Sequence, residues 1–245
     1  MSVTGRAVLI GTVARLYRYP VKSTAGQAVT AAPLGSRGLL HDREWAAYTP
    51  DSGIGSGKRT RRFRPVAGLM QWRSEAADED RVPWLISPQG DRYRVDDPAA
   101  SQALTHALGQ PLTLRRETTI PHHDEASVHL VTTCSIASTE ALLGGTVDNR
   151  RVRPNIVLDT GPEPTWLEDD WAGASITIGA HAMLRIGAGM TRCVMLDQPQ
   201  VGVRAEPAAL QILGRAHNLI LGVQAGVTHP GVIRAGDPAV LMHNV

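Results

Sequence analysis

Over residues 11–50 the apolar positions come in short bursts, GTVARLYRYPVKS, GQAVTAAPLG and REWAAYTP, each broken by Gly or Pro. Short apolar segments punctuated in this way predict strands joined by turns and no long helix. DSGIGSGKRTRR, residues 51–62, has no such bursts and predicts a flexible, glycine-rich connection ending in a basic run. VPWLISPQGDRYRVD, residues 82–96, predicts a hairpin turning at Pro-Gln-Gly-Asp.

The pattern then changes. In DDPAASQALTHALGQP, residues 96–111, Leu104, Ala107 and Leu108 share one helical face. Asp97 is placed to cap the helix, Pro98 to begin it and Gly109 to end it. LRRETTIPHHDEAS, residues 114–127, is polar and irregular, and a domain boundary is placed at about residue 115. The second part opens with a strand, SVHLVTT, and a helix, CSIASTEALLGG, with Ser135 as the expected N-cap and Gly144 or Gly145 as the stop. Strands follow at residues 153–159 and 175–187, the latter interrupted at Gly179 and Ala180, and a further helix at residues 206–218. The C-terminal apolar stretch predicts two strands turning at His229-Pro230-Gly231. Many short strands with three short helices describe barrels or sandwiches with helical decoration.

Composition narrows the function. At 245 residues and 42% apolar content the chain can bury a sizeable core. Lys plus Arg is 25 against 23 Asp plus Glu, and aromatics are few, which argues against a nucleic-acid surface. The apolar run Ala7–Ile10 is too short for a membrane span, and no secretory signal is convincing, so a soluble cytoplasmic protein is expected. The chain has two cysteines, Cys134 and Cys193, and no disulfide framework. Cys193 follows an arginine in a loop-like segment, TRCVMLDQP. An arginine held beside a thiol favours the thiolate, a natural ligand for a soft transition metal. The alternative on local sequence is an inert buried cysteine. Zinc is unsupported, since no C-x-x-C is present and the histidines are scattered except for HHD at residues 122–124. A Cys-His nucleophilic pair finds no support in the spacing.

Nine pieces, in order, carry a resemblance: YRYPVKSTAG, GLLHDREWAAY, RRFRPVAGL, VHLVTTCSI, NRRVRPNIVLD, EDDW, IGAHAMLRI, TRCVMLDQP and HPGVIRAGDPAVL. Together they resemble the MOSC family, the molybdenum-cofactor-sulfurase C-terminal domain, preceded by that family's N-terminal β-barrel, and within it the amidoxime-reducing branch. The resemblance implies a mainly β (α+β) fold, with an N-terminal β-barrel-like domain at residues 1–115 and a MOSC β-barrel domain with short helices at residues 116–245. It implies that Cys193 coordinates molybdenum, the other strong ligands coming from the dithiolene of the pyranopterin. Lys22, Ser23 and Arg43 would bind the phosphate end of the molybdenum cofactor (molybdopterin with Mo), and Arg153 and Asn155 the pterin side. Thr132, Thr133 and Ser135 would add hydroxyls and N–H groups at a helix N-terminus, which suits an anion. Arg62 would lie near the cofactor side of the first domain. Cys134 stays a core residue.

Blander readings stand beside these. Lys22 and Ser23 could form an exposed turn, Arg43 could pair with Asp42 or Glu44, and Arg153 and Asn155 could satisfy loop backbone. The run Lys58-Arg59-Thr60-Arg61-Arg62-Phe63-Arg64 is either a solvated loop or a rim that attracts an anionic ligand or redox partner. His122, His123 and Asp124 read as a junction loop. The resemblance further implies two-electron reduction of small N-oxygenated substrates, with Asp197 a candidate proton source. Pyridoxal phosphate binding is also admitted as a family attribute. Thr24 stands where the family has cysteine, and neither a membrane anchor nor a cluster-binding cysteine set is seen. Electrons would therefore come from a separate ferredoxin, flavodoxin or cytochrome b5-like protein. The rivals are a cofactor or sulfur carrier without turnover, and a module binding some other anion.

Overall fold

The structure, a computed structural model, describes residues 7–80 and 82–243. Residues 1–6 of the N-terminal stretch weighed above for a signal lie outside them. β1 (Ala7–Arg18) turns Val13 and Leu16 inward. Short strands follow: β2 (Gln27–Val29), β3 (Ala31–Gly35), β4 (Gly38–Leu39), β5 (Trp45–Tyr48) and β6 (Ile54–Ser56). β7 (Phe63–Pro65), β8 (Arg73–Glu75), β9 (Trp84–Ile86) and β10 (Arg92–Arg94) complete the run. The segment expected to be a flexible connection thus holds a strand, β6, whose three residues are all buried. α1 (Pro98–Leu108) has the expected ends: the Asp97 carboxylate accepts from the Ala99 N–H, and Gly109 is left-handed.

After β11 (Thr113–Arg116) come β12 (Val128–Thr132), α2 (Thr133–Leu143), α3 (Asn149–Val152) and β13 (Ile156–Asp159). The remaining elements are β14 (Ser175–Ile178), β15 (Ala182–Thr191), α4 (Ala209–His217), β16 (Ile220–His229), β17 (Gly231–Arg234) and β18 (Pro238–Met242). Three expectations are corrected. Thr132, not Ser135, caps α2, its hydroxyl accepting from the Ser135 N–H at 3.1 Å. The C-terminal stretch makes three strands, because the Arg234 N–H bonds the Asp237 carboxylate at 2.7 Å and Gly236 takes a positive φ of 89°. α3 is one turn, too short to show a period in the sequence.

The chain is mainly β. Seven strands, in the order β13-β12-β16-β15-β14-β18-β1, close into a barrel because β1 also pairs with β13. Alternation fills it: Ile176 and Ile178 from β14, Leu184 and Ile186 from β15, Ala239 and Leu241 from β18 all point inward. β12 is buried along its whole length. Val128 and Leu130 face the barrel interior, while Val131 packs outward with Val157, Ile136 and Leu213 under α2 and α4. A strand covered on both faces usually reads as a continuous apolar run; here His129 and Thr132 interrupt it, and both are bonded: the His129 N–H to Asn155, the Thr132 hydroxyl to Glu168. Gly11 lets β1 cross β13 closely, since a Cβ there would sit 1.9 Å from the Asp159 carbonyl oxygen.

Residues between β1 and β12 build a second core around Trp45, Trp72, Leu85 and Leu104. It is wrapped by two small sheets, β11-β5-β6-β7 and β10-β9-β8. A third sheet, β17-β3-β4, joins the first part of the chain to the last. The barrel itself draws on both sides of residue 115, β1 being supplied from before it. No helix among the described residues is long and apolar enough to cross a membrane.

Candidate functional site

Where β1 leaves the barrel, residues 19–22 run beside residues 42–45. The Arg43 N–H bonds the Tyr19 carbonyl at 2.9 Å, the Lys22 N–H the Trp45 carbonyl at 2.7 Å, and Asp42 accepts from the Tyr19 N–H at 2.8 Å. This pairing carries Lys22, Ser23 and Arg43 to the wall of a cavity of about 90 Å³. The opposite wall is barrel: Arg153 and Asn155 before β13, and Arg192 and Cys193 past the bulged end of β15. Bulges bend a strand and re-aim its side chains. Cys193 is half-buried and free, and begins a 3₁₀ turn over Val194–Leu196. Ser23, Arg43 and Arg153 all hold left-handed backbone, φ 64°, 56° and 54°. That costs each on the order of 1 kcal/mol and persists only where surrounding contacts enforce it.

Five cations line this cavity: Lys22, Arg43, Lys58, Arg153 and Arg192. Two aromatic rings support four of them. Arg153 and Arg43 lie 4.3 and 4.8 Å from the Tyr19 ring centre, and Lys22 and Lys58 lie 4.6 and 5.1 Å from that of Phe63. Asp124 is ion-paired to both Lys22 and Lys58. Burial pulls Lys22 down to about 8, with Asp124 opposing the shift. Burial likewise brings Arg153 to about 10 and lowers Arg192. Burial pushes the Asp124 carboxyl up, but Lys22 and Lys58 outweigh it and hold it well below the carboxylate range. On the wall of this cavity two buried donors, Arg153 Nη1 and Arg192 Nε, have no hydrogen-bond partner among the described residues. A site with surplus positive charge and unfilled N–H groups is built for an anion.

Several expected members are elsewhere. Thr132, Thr133 and Ser135 do not reach the cavity. The N-terminus of α2 already holds an anion of the chain's own: both Thr132 and Ser135 hydroxyls donate to Glu168 Oε2 at 2.6 Å. Thr133 donates to the Gly161 carbonyl at 2.7 Å. Arg62 faces a neighbouring cavity and donates to the His123 carbonyl at 3.0 Å, tying down the loop before β12. Asp197 accepts from the Leu210 N–H at 2.8 Å on another face. Asn155 lines the cavity, yet its amide is committed, accepting from the His129 N–H at 3.1 Å and Arg43 at 3.3 Å. Cys134 is buried, taking a hydrogen bond from Thr160 at 3.1 Å.

Residues missed by sequence reasoning are Tyr19, His129 and Arg192, whose Nη2 bonds the Val152 carbonyl at 2.6 Å while its Nε finds no partner among the described residues. Tyr19 stands three positions before Lys22, and Phe63, the chain's one phenylalanine, sits inside the basic run. Aromatic residues embedded among cations were the available signal. His129, buried and held neutral by burial, reaches the cavity because Gly222 (φ 80°) leaves room for its ring; a Cβ there would meet Nε2 at 2.5 Å. No group of three or more His, Cys, Asp or Glu among the described residues could hold a metal ion by itself.

Two family models match the chain: the MOSC domain over residues 117–240 and the MOSC N-terminal beta barrel domain over residues 10–80. The mitochondrial amidoxime-reducing component 1 of Homo sapiens is 24% identical, covering 95% of this chain and 83% of that protein. The molybdenum cofactor sulfurase of Oryza sativa subsp. japonica is 25% identical over 78% of this chain, which spans only 29% of the sulfurase. Among solved structures, the YUAD protein from Bacillus subtilis shares the fold at 13% identity, with a TM-score of 0.53 and coverage of 98% of this chain and 100% of that one.

Proposed function

The chain belongs to the MOSC domain family, and from that premise we propose that it binds the molybdenum cofactor in the Cys193 cavity and reduces small N-oxygenated compounds. The observation that carries the proposal is the sharing of one cavity by Cys193 and five cations, two of them with buried N–H groups left unpaired. The residues fit the group. Cys193 is the one thiol on the cavity wall and can bind a soft metal as thiolate, and a pterin with a phosphate tail supplies the anionic and acceptor atoms that the guanidinium and ammonium groups lack. Cys193 would hold the metal. Lys22, Lys58 and the left-handed Ser23 backbone would take the phosphate end. Arg153 and Arg192, from the barrel side, would donate to the pterin.

When bound, the cofactor supplies a two-electron redox centre. The overall reaction balances as R–NHOH plus two electrons and two protons giving R–NH₂ and water, with the electrons delivered by a separate protein such as a ferredoxin, flavodoxin or cytochrome b5-like donor. Around that centre the chain's own residues position and desolvate. Met190 and Met195 give the cavity its apolar wall, and Arg43 fixes Asn155 and, through it, the His129 backbone.

The test is metal content. Protein made in a cofactor-producing host should carry close to one molybdenum per chain, and Cys193→Ala should lose most of it together with benzamidoxime reduction. Full metal and activity in the variant would sink the reading. The similarity to cofactor sulfurases over 78% of the chain keeps a second reading alive, a cofactor or sulfur carrier. Loaded protein that takes electrons from a chemical reductant but never turns over an amidoxime would select it.

A further inference from the structure

We propose that Asp124 is a built-in counter-anion of the Cys193 cavity, and that the segment carrying it, residues 123–127, is a strap displaced when an anionic ligand enters. The inference rests on the reading of that cavity as the seat of an anionic cofactor.

Both oxygens of the Asp124 carboxylate are engaged, Oδ1 by Lys22 and Oδ2 by Lys58 at 2.7 Å. A carboxylate bridging two ammonium groups occupies the position that a phosphate would take between them. It is still reachable, since the Asp124 side chain is 31% exposed. Space points the same way. At about 90 Å³ the cavity is far below the roughly 300–1,000 Å³ of sites that hold cofactor-sized ligands. A second cavity of about 320 Å³, lined by Arg37, Arg62 and His123, lies behind the strap. Asp124, Glu125 and Ala126 border both. The two spaces thus share Asp124, Glu125 and Ala126 as a common wall, and moving that segment aside would join them.

The strap is built to let go. Among the described residues, no backbone–backbone hydrogen bond is formed by residues 118–127. Its ties run through side chains: Arg62 to the His123 carbonyl at 3.0 Å, His123 beside Asp42 at 3.4 Å, Gln224 to Glu125 at 2.8 Å, the Ser127 hydroxyl to the Ala225 carbonyl at 3.3 Å, and the two lysines to Asp124. Segments with few ladder bonds and polar, water-accessible ties open at low free energy. His122 ahead of it is fully buried, bonded to Tyr48 at 2.9 Å and to the Arg43 carbonyl at 3.0 Å, and serves as a fixed post. β12 is the other post. Before loading, Asp124 keeps a buried lysine from standing unpaired, a costly state. At loading, one anion replaces another and the carboxylate goes to water.

The full-length chain, purified without cofactor, tests this with inorganic pyrophosphate as probe. Asp124→Asn removes the competing charge and should bind pyrophosphate about tenfold more tightly by calorimetry, a coupling of ordinary size between competing sites. In the native chain, saturating pyrophosphate should speed deuterium exchange at residues 123–127 and leave β12 unchanged. Equal or weaker binding by the variant, no binding by either protein, or exchange in the strap that is unchanged or slowed would overturn the proposal. Should the variant fail to fold, the exchange result on the native chain decides. Failure of the cofactor reading is separate: it would show as absence of molybdenum in protein from a cofactor-producing host, whatever pyrophosphate does.

Discussion

Lys22 is a cation that the fold has made hard to keep charged. It is buried to 5% exposure, and burial brings its pKa down to about 8 despite Asp124. Its charge is thus present below that pH and lost above it. Sulfate, whose own charge does not change over this range, should bind the cofactor-free chain with constant affinity below about pH 8 and progressively more weakly above it. Lys22→Arg, which stays charged, should remove the fall; a pH-independent affinity in the native chain would rule Lys22 out as the titrating group. At this scale the family resemblance, carried by ordered motifs, pointed to Cys193, Lys22, Ser23, Arg43, Arg153 and Asn155, and all six line one cavity. Arg62, Thr132, Thr133 and Ser135 were named by the same route and lie elsewhere. A hydroxyl or guanidinium can serve backbone as readily as ligand, and only its neighbours in space decide.

Glu168 makes the point for an element. EDDW looks like a surface acidic run, yet Glu168 is 1% exposed and closes the N-terminus of α2. It accepts from Thr132 Oγ1 and Ser135 Oγ at 2.6 Å and from the Thr132 N–H at 3.3 Å. Burial raises its pKa, and those hydrogen bonds oppose the rise. Glu168→Ala would leave the Thr132 hydroxyl and N–H without an acceptor and Ser135 with only the Thr165 carbonyl at 3.4 Å, so urea unfolding should show a loss of roughly 3 kcal/mol. Glu168→Gln, which retains an acceptor, should recover more than half; a loss under about 1 kcal/mol for alanine would mean that water satisfies the donors. Elements with their own punctuation were legible beforehand. α1 announced itself by Asp97, Pro98 and Gly109, and the β14–β15 pair by its break at Gly179. α3 and β6 were not, being too short for any period to emerge.

For the whole molecule, the decisive fact is that β1 is a stave of a barrel whose other six strands follow residue 127. Its register runs against β18 from Ala7↔Met242 to Thr12↔Pro238 and against β13 from Thr12↔Asp159 to Leu16↔Ile156. Without β1, β13 and β18 both become open edges and the Val13 and Leu16 contacts are lost. Residues 117–245 expressed alone should therefore show no cooperative thermal transition, and co-expression with residues 1–116 should restore one. A fragment that unfolds cooperatively by itself would contradict this account of barrel closure. The sequence by itself determined what depends on local rhythm: a mainly β chain and the ends of α1; the family resemblance, not rhythm, drew attention to Cys193 and the cations that line one cavity. Tertiary structure alone decided which strands close the barrel, which hydroxyls are spent on Glu168, and that Asp124 stands between two lysines. Those outcomes depend on contacts between residues far apart in the chain, Leu16↔Ile156 at 140 positions and Ala7↔Met242 at 235, and no local pattern encodes such a pairing.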